Sequence, residues 1–418
     1  MASRSLPTAI RALAHRDFRY YFCGHAISIL GSWIQQVAMS WLVYRLTGSA
    51  VLLGVTAFAA LIPQLVIGPL AGAWIDKQDK RRWLIGVQTV LALQALLLAL
   101  LTATHVVTPT LLVAMSLVLG VVNSFDAPLR QSLIGRFVGS PDDLPNALAL
   151  NAMLFNTGRF VGPPIAGFLL ALTSEATCFA INSLSFIALI TALLLIKGVE
   201  DERATGSMAK VFREGVRYAW GTWEVRMLLT ILVGLNVTAS CYAVLLPIFA
   251  KDVFGGDATT LGWLWGAAGS GAFSSTIFLA TRRSLPGLVG TVTFGVMLSA
   301  AALLAFSAAP VLLLAMASMA LLGFGISVCN VGCNMLLQTV TPAPLRGRIM
   351  SFFTSARFGF DAIGGLLAGV LAARMGASRT LLVEGGMLLL FVLFLQARKA
   401  RLREKIVLAG SPVPAGSP

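Results

Sequence analysis

The chain has 418 residues, 57% of them hydrophobic and only 11% charged, with a formal net charge of +14. About a quarter of an ordinary soluble domain is charged, so the composition excludes that class. The positive charge is dispersed between long apolar stretches rather than gathered in a patch, which excludes a nucleic-acid footprint. Twelve stretches are long enough to cross a bilayer as helices: residues 18–45, 49–75, 83–104, 108–132, 144–172, 176–197, 225–250, 258–281, 287–307, 310–337, 347–373 and 379–396. Of the 31 Lys and Arg, four (Arg45, Lys251, Arg374, Arg379) fall on one side and two (Arg159, Arg357) inside spans. The other 25 lie in the two tails and in every second loop. The positive-inside rule then places both termini in the cytoplasm. The first apolar stretch is too long for a cleavable signal, and no small-residue cleavage site follows it. All five cysteines fall within spans and read as small core residues.

The first span carries His25, Ser28, Ser32, Gln35 and Gln36 at roughly helical spacing, giving it one polar face. His25 reads first as a hydrogen-bonded structural group and second as a proton site. Between spans two and three, "GAWIDKQDKRRW" (72–83) holds six charges in twelve residues. Basic residues anchor a loop in the cytoplasm, yet an anchor needs neither Gly72 nor the acid Asp76. Span four holds Asn123 and, at its end, Asp126 in "NSFDAPLRQSL".

Span five contains "NTGRFVGPPIAGFLL" (156–170), with Gly158, Gly162, Pro163 and Gly167. Small residues permit close helix contact, and a proline bends or stiffens the span. Arg159 sits in its middle, where an ionisable group is a functional candidate by default. It suits an anionic ligand, or it holds the span to a neighbour's carbonyls.

Residues 198–222 form a polar linker that divides the spans six and six. Within it, 208–219 has helical spacing of apolar and basic residues. An amphipathic helix on the anionic leaflet and a solvated linker both fit. Span seven carries Asn236 and Ser240; span ten carries Asn330, Asn334 and Gln338, spaced by four. Span eleven holds Arg357 and Asp361, four apart on one helix face. They neutralise each other, or Asp361 takes up a proton when the pair opens. Trp33, Trp41, Trp263 and Trp265 fall near the outer interface, which favours aromatic-belt anchoring. Offset by 207, the halves align Gly48 with Gly255, Asn123 with Asn330 and Gln131 with Gln338; at 202, Gly162 meets Gly364 and Gly167 meets Gly369. That pattern indicates an internal duplication.

"GAWIDKQDKRR" resembles the loop signature of the major facilitator superfamily, with Asp79 where a glycine is usual. "NTGRFVGPPIAGFLL" resembles that superfamily's exporter-type span-five motif. "RDFRYYFCGHAISILGSWIQQ", "FDAPLRQSL" and "FREGVRYAW" resemble the enterobactin-exporter-like branch, which includes siderophore exporters and macrolide efflux pumps. The resemblance implies a clamp on the cytoplasmic side, with Asp76 at the N-terminus of span eleven and Lys80 or Arg81 pairing with Asp126. It implies a cavity lined by spans one, four, seven and ten, and so by Gln35, Gln36, Asn123, Asn236, Asn330 and Asn334, with Arg159 beside them.

The expected fold is an all-α polytopic membrane protein, twelve transmembrane helices in two six-helix bundles. Its parts are residues 1–197, the linker 198–222, 223–400, and a disordered tail 401–418. The expected activity is export of a small amphipathic molecule by proton antiport and alternating access, from a bacterial inner membrane, as a monomer. Its proton-coupling candidates are Asp361, Arg357 and His25. An importer or lipid flippase of the same fold, and a non-transporting sensor, are the rival readings. No phosphate-binding loop or metal-ligand cluster is readable, so no enzyme activity, cofactor, metal or nucleic-acid partner is expected.

Overall fold

The computed structural model describes residues 8–75, 78–196, 208–280 and 285–410. After a 3₁₀ helix (Thr8–Ala14), the first half comprises α1 (Arg16–Thr47), α2 (Ala50–Ile75), α3 (Lys80–Ala103), α4 (Pro109–Val138), α5 (Leu144–Leu172) and α6 (Glu175–Leu195). The connecting α7 is Met208–Gly221. The second half comprises α8 (Trp223–Thr238), α9 (Tyr242–Ile248) with a π-helical turn (Phe249–Val253), α10 (Ala258–Ala280), α11 (Leu285–Ser307), α12 (Leu312–Val340), α13 (Ala343–Met375) and α14 (Ala377–Gly410). The segments α8, α9 and the π turn form one broken span, so the described residues form twelve spans, as the hydropathy pattern predicts.

Among the described residues, ten of these spans are apolar enough to cross a membrane by composition alone. The other two, α5 and α10, pack on each other across the two halves. The buried small residues Gly167 of α5 and Gly262, Gly266 and Gly269 of α10 lie along this contact. The second cross-half contact joins α2 to α13. Within the halves, α1 packs on α5 and α6, and α3 on α4 and α6; α12 packs on α10 and α11, and α14 on α11.

The duplication read from sequence recurs in the packing. Gly48 and Gly255, aligned by the repeat, both adopt left-handed backbone, at φ 59° and 60°. A glycine enters that region without steric cost, and each makes the turn after its first span. Gly369 of α13 lies against Ala50 and Gly54 of α2; Gly167 of α5 lies against Ala258 and Gly262 of α10. A Cβ on Gly369 would stand 2.5 Å from the Ala50 carbonyl oxygen, and one on Gly167 2.7 Å from that of Ala258. The two cross-half seams are thus built alike.

One element departs from the sequence reading. The tail expected to be disordered from residue 401 instead continues α14 to residue 410, and residues 411–418 lie outside the described residues. Leu402 and Ile406, four apart, are buried together, and the Arg401 guanidinium stacks on Trp223 at 4.7 Å. Residues 208–221 of the linker form the helix read from the spacing, α7, which docks on the second half rather than standing solvated. Glu214 pairs with Arg348, and the Tyr218 hydroxyl donates to the Val340 carbonyl at 3.3 Å. Val216 and Trp220 remain exposed on its outer face.

Candidate functional site

The two halves meet in a mixed charged and aromatic cluster. Arg159 of α5 donates from Nη2 to the Tyr242 hydroxyl of α9 at 3.2 Å. The Tyr242 ring lies 6.0 Å from Trp265 of α10, which lies 6.2 Å from Trp33 of α1, itself 6.0 Å from Phe155 of α5. Arg159, Arg357 and Asp361 lie within each other's electrostatic reach, and Ser240 stands beside Asp361. The Arg357 guanidinium lies over the Phe358 ring at 5.2 Å.

Glycines make this convergence possible. Gly158 and Gly162 admit Ile29 and Trp33 of α1, and Gly269 of α10 lies against the Arg159 carbonyl. A Cβ on Gly269 would stand 2.5 Å from that oxygen. The motif Gly158, Gly162, Pro163 and Gly167 therefore packs α5 between α1 and α10.

Three buried polar atoms in the cluster have no hydrogen-bond partner among the described residues: Arg159 Nε, Trp265 Nε1 and Asp361 Oδ1. Buried polar groups are almost always paired, because leaving one unpaired costs roughly 1–3 kcal/mol. Two unpaired donors and one acceptor at a single boundary mark a place where a ligand or water completes the bonding. Trp265 is 5% exposed. The expectation of a membrane-interface anchor is corrected for it: its ring faces the boundary between the halves. Trp263, 50% exposed, retains a surface position.

The remaining candidates separate into groups. Asn236 donates to Asn330 at 3.3 Å and accepts from Ser240 at 3.2 Å, beside the cluster. Asn334 lies against Met350 and accepts from Gln338 at 2.6 Å. Asn123 is half-buried on α4, and Gln36 is exposed on α1. Gln35 departs from the expectation of a cavity position. Its amide accepts from Asn182 at 2.7 Å and donates to Gln94 at 3.1 Å, inside the first half. His25 is also apart from the cluster. It is buried and stacks on Tyr21 at 5.4 Å, with Arg130 as its charged neighbour.

The clamp residues are only partly in view. Asp76 lies outside the described residues, and Gly72 is in the last turn of α2. Lys80 opens α3 and is buried. The resemblance implied that Lys80 or Arg81 pairs with Asp126, and Arg81 has other partners. It donates to the carbonyls of Leu193 and Leu194 at 2.8 and 3.1 Å, where the end of α6 leaves acceptors free. Asp126 instead pairs with Arg130 one turn on and accepts from Gln88 at 2.6 Å. Asp79 caps α3 by accepting from the Arg82 amide at 3.0 Å, so the residue in the glycine's place has a helix-starting role.

Two other contacts bear on movement. At the end away from the termini, Tyr44 of α1 bonds Asp252 of the π turn across the halves, with Lys251 5.7 Å from the Tyr44 ring. At the other end, the 3₁₀ helix is strapped to α5: Arg11 and His15 both engage Asp143, and Asn146 accepts from the Ala12 amide at 2.9 Å. The hydrogen bond from His15, reinforced by Arg11, holds the Asp143 carboxyl below its ordinary range.

A family profile described as transmembrane secretion effector, of the major facilitator superfamily, matches residues 7–411. The chain belongs to that family. It is 25% identical to the staphyloferrin A transporter of Staphylococcus aureus, over 88% of this chain and 92% of that protein. It is 28% identical to the multidrug efflux pump Tap of Mycolicibacterium fortuitum (84% and 88%). It is 27% identical to the enterobactin exporter EntS of Shigella boydii (91% and 91%). Among solved structures, a peptide transporter of the POT family with alafosfalin superposes with a TM-score of 0.73 at 12% identity, covering 93% of this chain and 95% of that one. The nucleoside transporter NupG in a mutant form gives 0.71 at 15%, covering 92% and 99%. These two show the shared fold. The secretion-effector chain is thus a multi-pass membrane transporter of the major facilitator type.

Proposed function

We propose that the protein exports a small amphipathic molecule, a siderophore or drug-like compound, by proton antiport and alternating access. In this reading the basic end faces the cytoplasm and the halves 1–197 and 223–400 rock about the Arg159 cluster. The observation that carries it is the trio of unpaired buried atoms, Arg159 Nε, Trp265 Nε1 and Asp361 Oδ1, where the halves meet. Two guanidiniums against one carboxylate leave the site net positive, and aromatic rings wall it. A flat or apolar body bearing an anionic group suits that chemistry.

Asp361 is the proton carrier in this reading. Its neighbours are opposed guanidiniums and a hydroxyl, so protonating it changes the net charge of the site by one. Protonation also removes the carboxylate as an acceptor, so a substrate donor group that bonds ionised Asp361 and the proton exclude each other, which is the requirement for antiport. A proton moving down 100 mV supplies about 2.3 kcal/mol. The Tyr44–Asp252 bond supports a resting form closed at the end away from the termini.

The test is uptake into inside-out vesicles with an acidic interior, using a panel of siderophores and drugs. Accumulation of one class that collapses with the gradient supports the reading. Equal entry with and without a gradient overturns the antiport.

A further inference from the structure

We propose that Glu384 of α14 is a second proton-carrying acid that exchanges its proton with Asp361 through the break at Ser240–Cys241; this rests on the antiport reading above. Glu384 is 4% exposed within a membrane span. Its Oε2 is in hydrogen-bond contact with the Cys241 sulfur, and the same sulfur is in contact with the Thr238 carbonyl oxygen.

A neutral thiol has one hydrogen, and the Cys241 sulfur donates toward both the Thr238 carbonyl and the Glu384 carboxyl. At most one shared, weak donor therefore reaches Glu384 from the thiol, too little to hold a buried carboxylate ionised.

The surroundings agree. Among the described residues that pack around Glu384, the ionisable group acting directly on it is Cys241. Asp361 of α13 acts on the same thiol. From α12 come Cys329 and Cys333, which interact with each other. The sequence of α11 contains no ionisable side chain, and Arg379 on α14 itself is exposed. An ionised carboxylate buried without a cation or several donors is costly.

The location gives the acid a task. Glu384 lies seven residues into α14, roughly 10 Å from its start at about 1.5 Å per residue. Asp361 lies 14 residues from the end of α13, roughly 21 Å by the same rise. The two carboxyls therefore stand at different depths, on either side of consecutive residues 240 and 241. There α8 gives way to a turn, with the Ala243 amide bonding Ser240 and the Val244 amide bonding Cys241. Such tight turns within a span mark hinges. Proton exchange breaks one carboxyl O–H bond and forms another, with no further reactant. Glu384 thus loads from the end away from the termini and passes the proton inward to Asp361.

The test uses the full chain in liposomes, read by infrared spectroscopy of the protonated carboxyl C=O stretch, beside gradient-driven flux. The wild type should show a protonated-acid band at neutral pH that E384Q removes and D361N retains. Cys241→Val should move the band and its pH midpoint, because the thiol contact is gone. E384Q should also lose gradient-driven flux while retaining substrate exchange without a gradient. A band unchanged by E384Q overturns the proposal, whatever the flux shows. Removal of the band together with wild-type gradient-driven flux in E384Q overturns the relay. If no compound is transported by the wild type, the antiport reading fails, and the infrared result still decides whether Glu384 holds the proton.

Discussion

Arg159 of α5 and Tyr242 of α9 are joined by a hydrogen bond of 3.2 Å that crosses from one half of the molecule to the other. The Nε of the same guanidinium is buried and unpaired, so the residue has donor capacity left for a ligand. A hydrogen bond to a charged group contributes about 1.5–3 kcal/mol. Arg159→Ala should therefore weaken an anionic ligand by about 10- to 100-fold and a neutral analogue of the same shape much less. Calorimetric titration of both ligands checks this. Equal weakening of the two would mean that Arg159 shapes the site without reading charge.

Asp361→Asn should separate binding from coupling. One proton at 100 mV sustains roughly a 50-fold gradient, from about 2.3 kcal/mol at 1.4 kcal/mol per tenfold. The variant should bind ligand and exchange it across the membrane, but accumulate it to about onefold. Vesicle flux with and without a gradient measures both. Accumulation at the wild-type level would place the proton elsewhere.

Gly369→Leu should disrupt the seam between α2 and α13. Its added carbons meet the Ala50 carbonyl and the Gly54 backbone, neither of which is a flexible side chain. Overpacking of this kind costs typically about 1–3 kcal/mol. Gly86→Leu is the control, because nothing lies within 4 Å of a Cβ there. Thermal unfolding in detergent should show a lowered midpoint for the first and little change for the second.

The strap formed by the 3₁₀ helix should depend on pH through Asp143. Its carboxyl is held low by His15 and Arg11. A depressed carboxyl adds stability above the ordinary carboxylate value, about 3.9, and loses it as pH falls through the depressed one. Docking should therefore be complete at neutral pH and released by acid below that range. Asp143→Asn should release the strap at neutral pH. Hydrogen exchange of residues 8–14 reports both. Protection unchanged in the variant would assign the docking to Asn146 and apolar contacts alone.

Much of this was legible because hydropathy and glycine placement are local properties. The twelve spans follow from runs of apolar residues. The paired left-handed turns at Gly48 and Gly255, and the matched seams at Gly167 and Gly369, follow from a repeat visible at offsets of 207 and 202. What was not legible depends on which neighbour a helix face meets. Gln35 shares a polar face with Gln36, but its neighbours are Gln94 and Asn182, so it serves the bundle interior. Trp265 and Trp263 are two residues apart and face opposite ways. The break at Ser240–Cys241 leaves no proline or glycine signal. Glu384 does leave a sequence signal, as the lone acid in the apolar run "TLLVEGGMLLL". Arg81 and Asp126 fit a family pairing, yet the end of α6 and Arg130 satisfy them locally.

The most direct test of the account is simultaneous recording of substrate and proton movement in proteoliposomes loaded with one transported compound. Coupled antiport predicts that substrate leaving down its gradient drives protons in, acidifying the interior, with Asp361→Asn abolishing the proton signal while substrate still moves. Protons moving in the same direction as substrate, or substrate flux with no proton movement in the wild type, would contradict it.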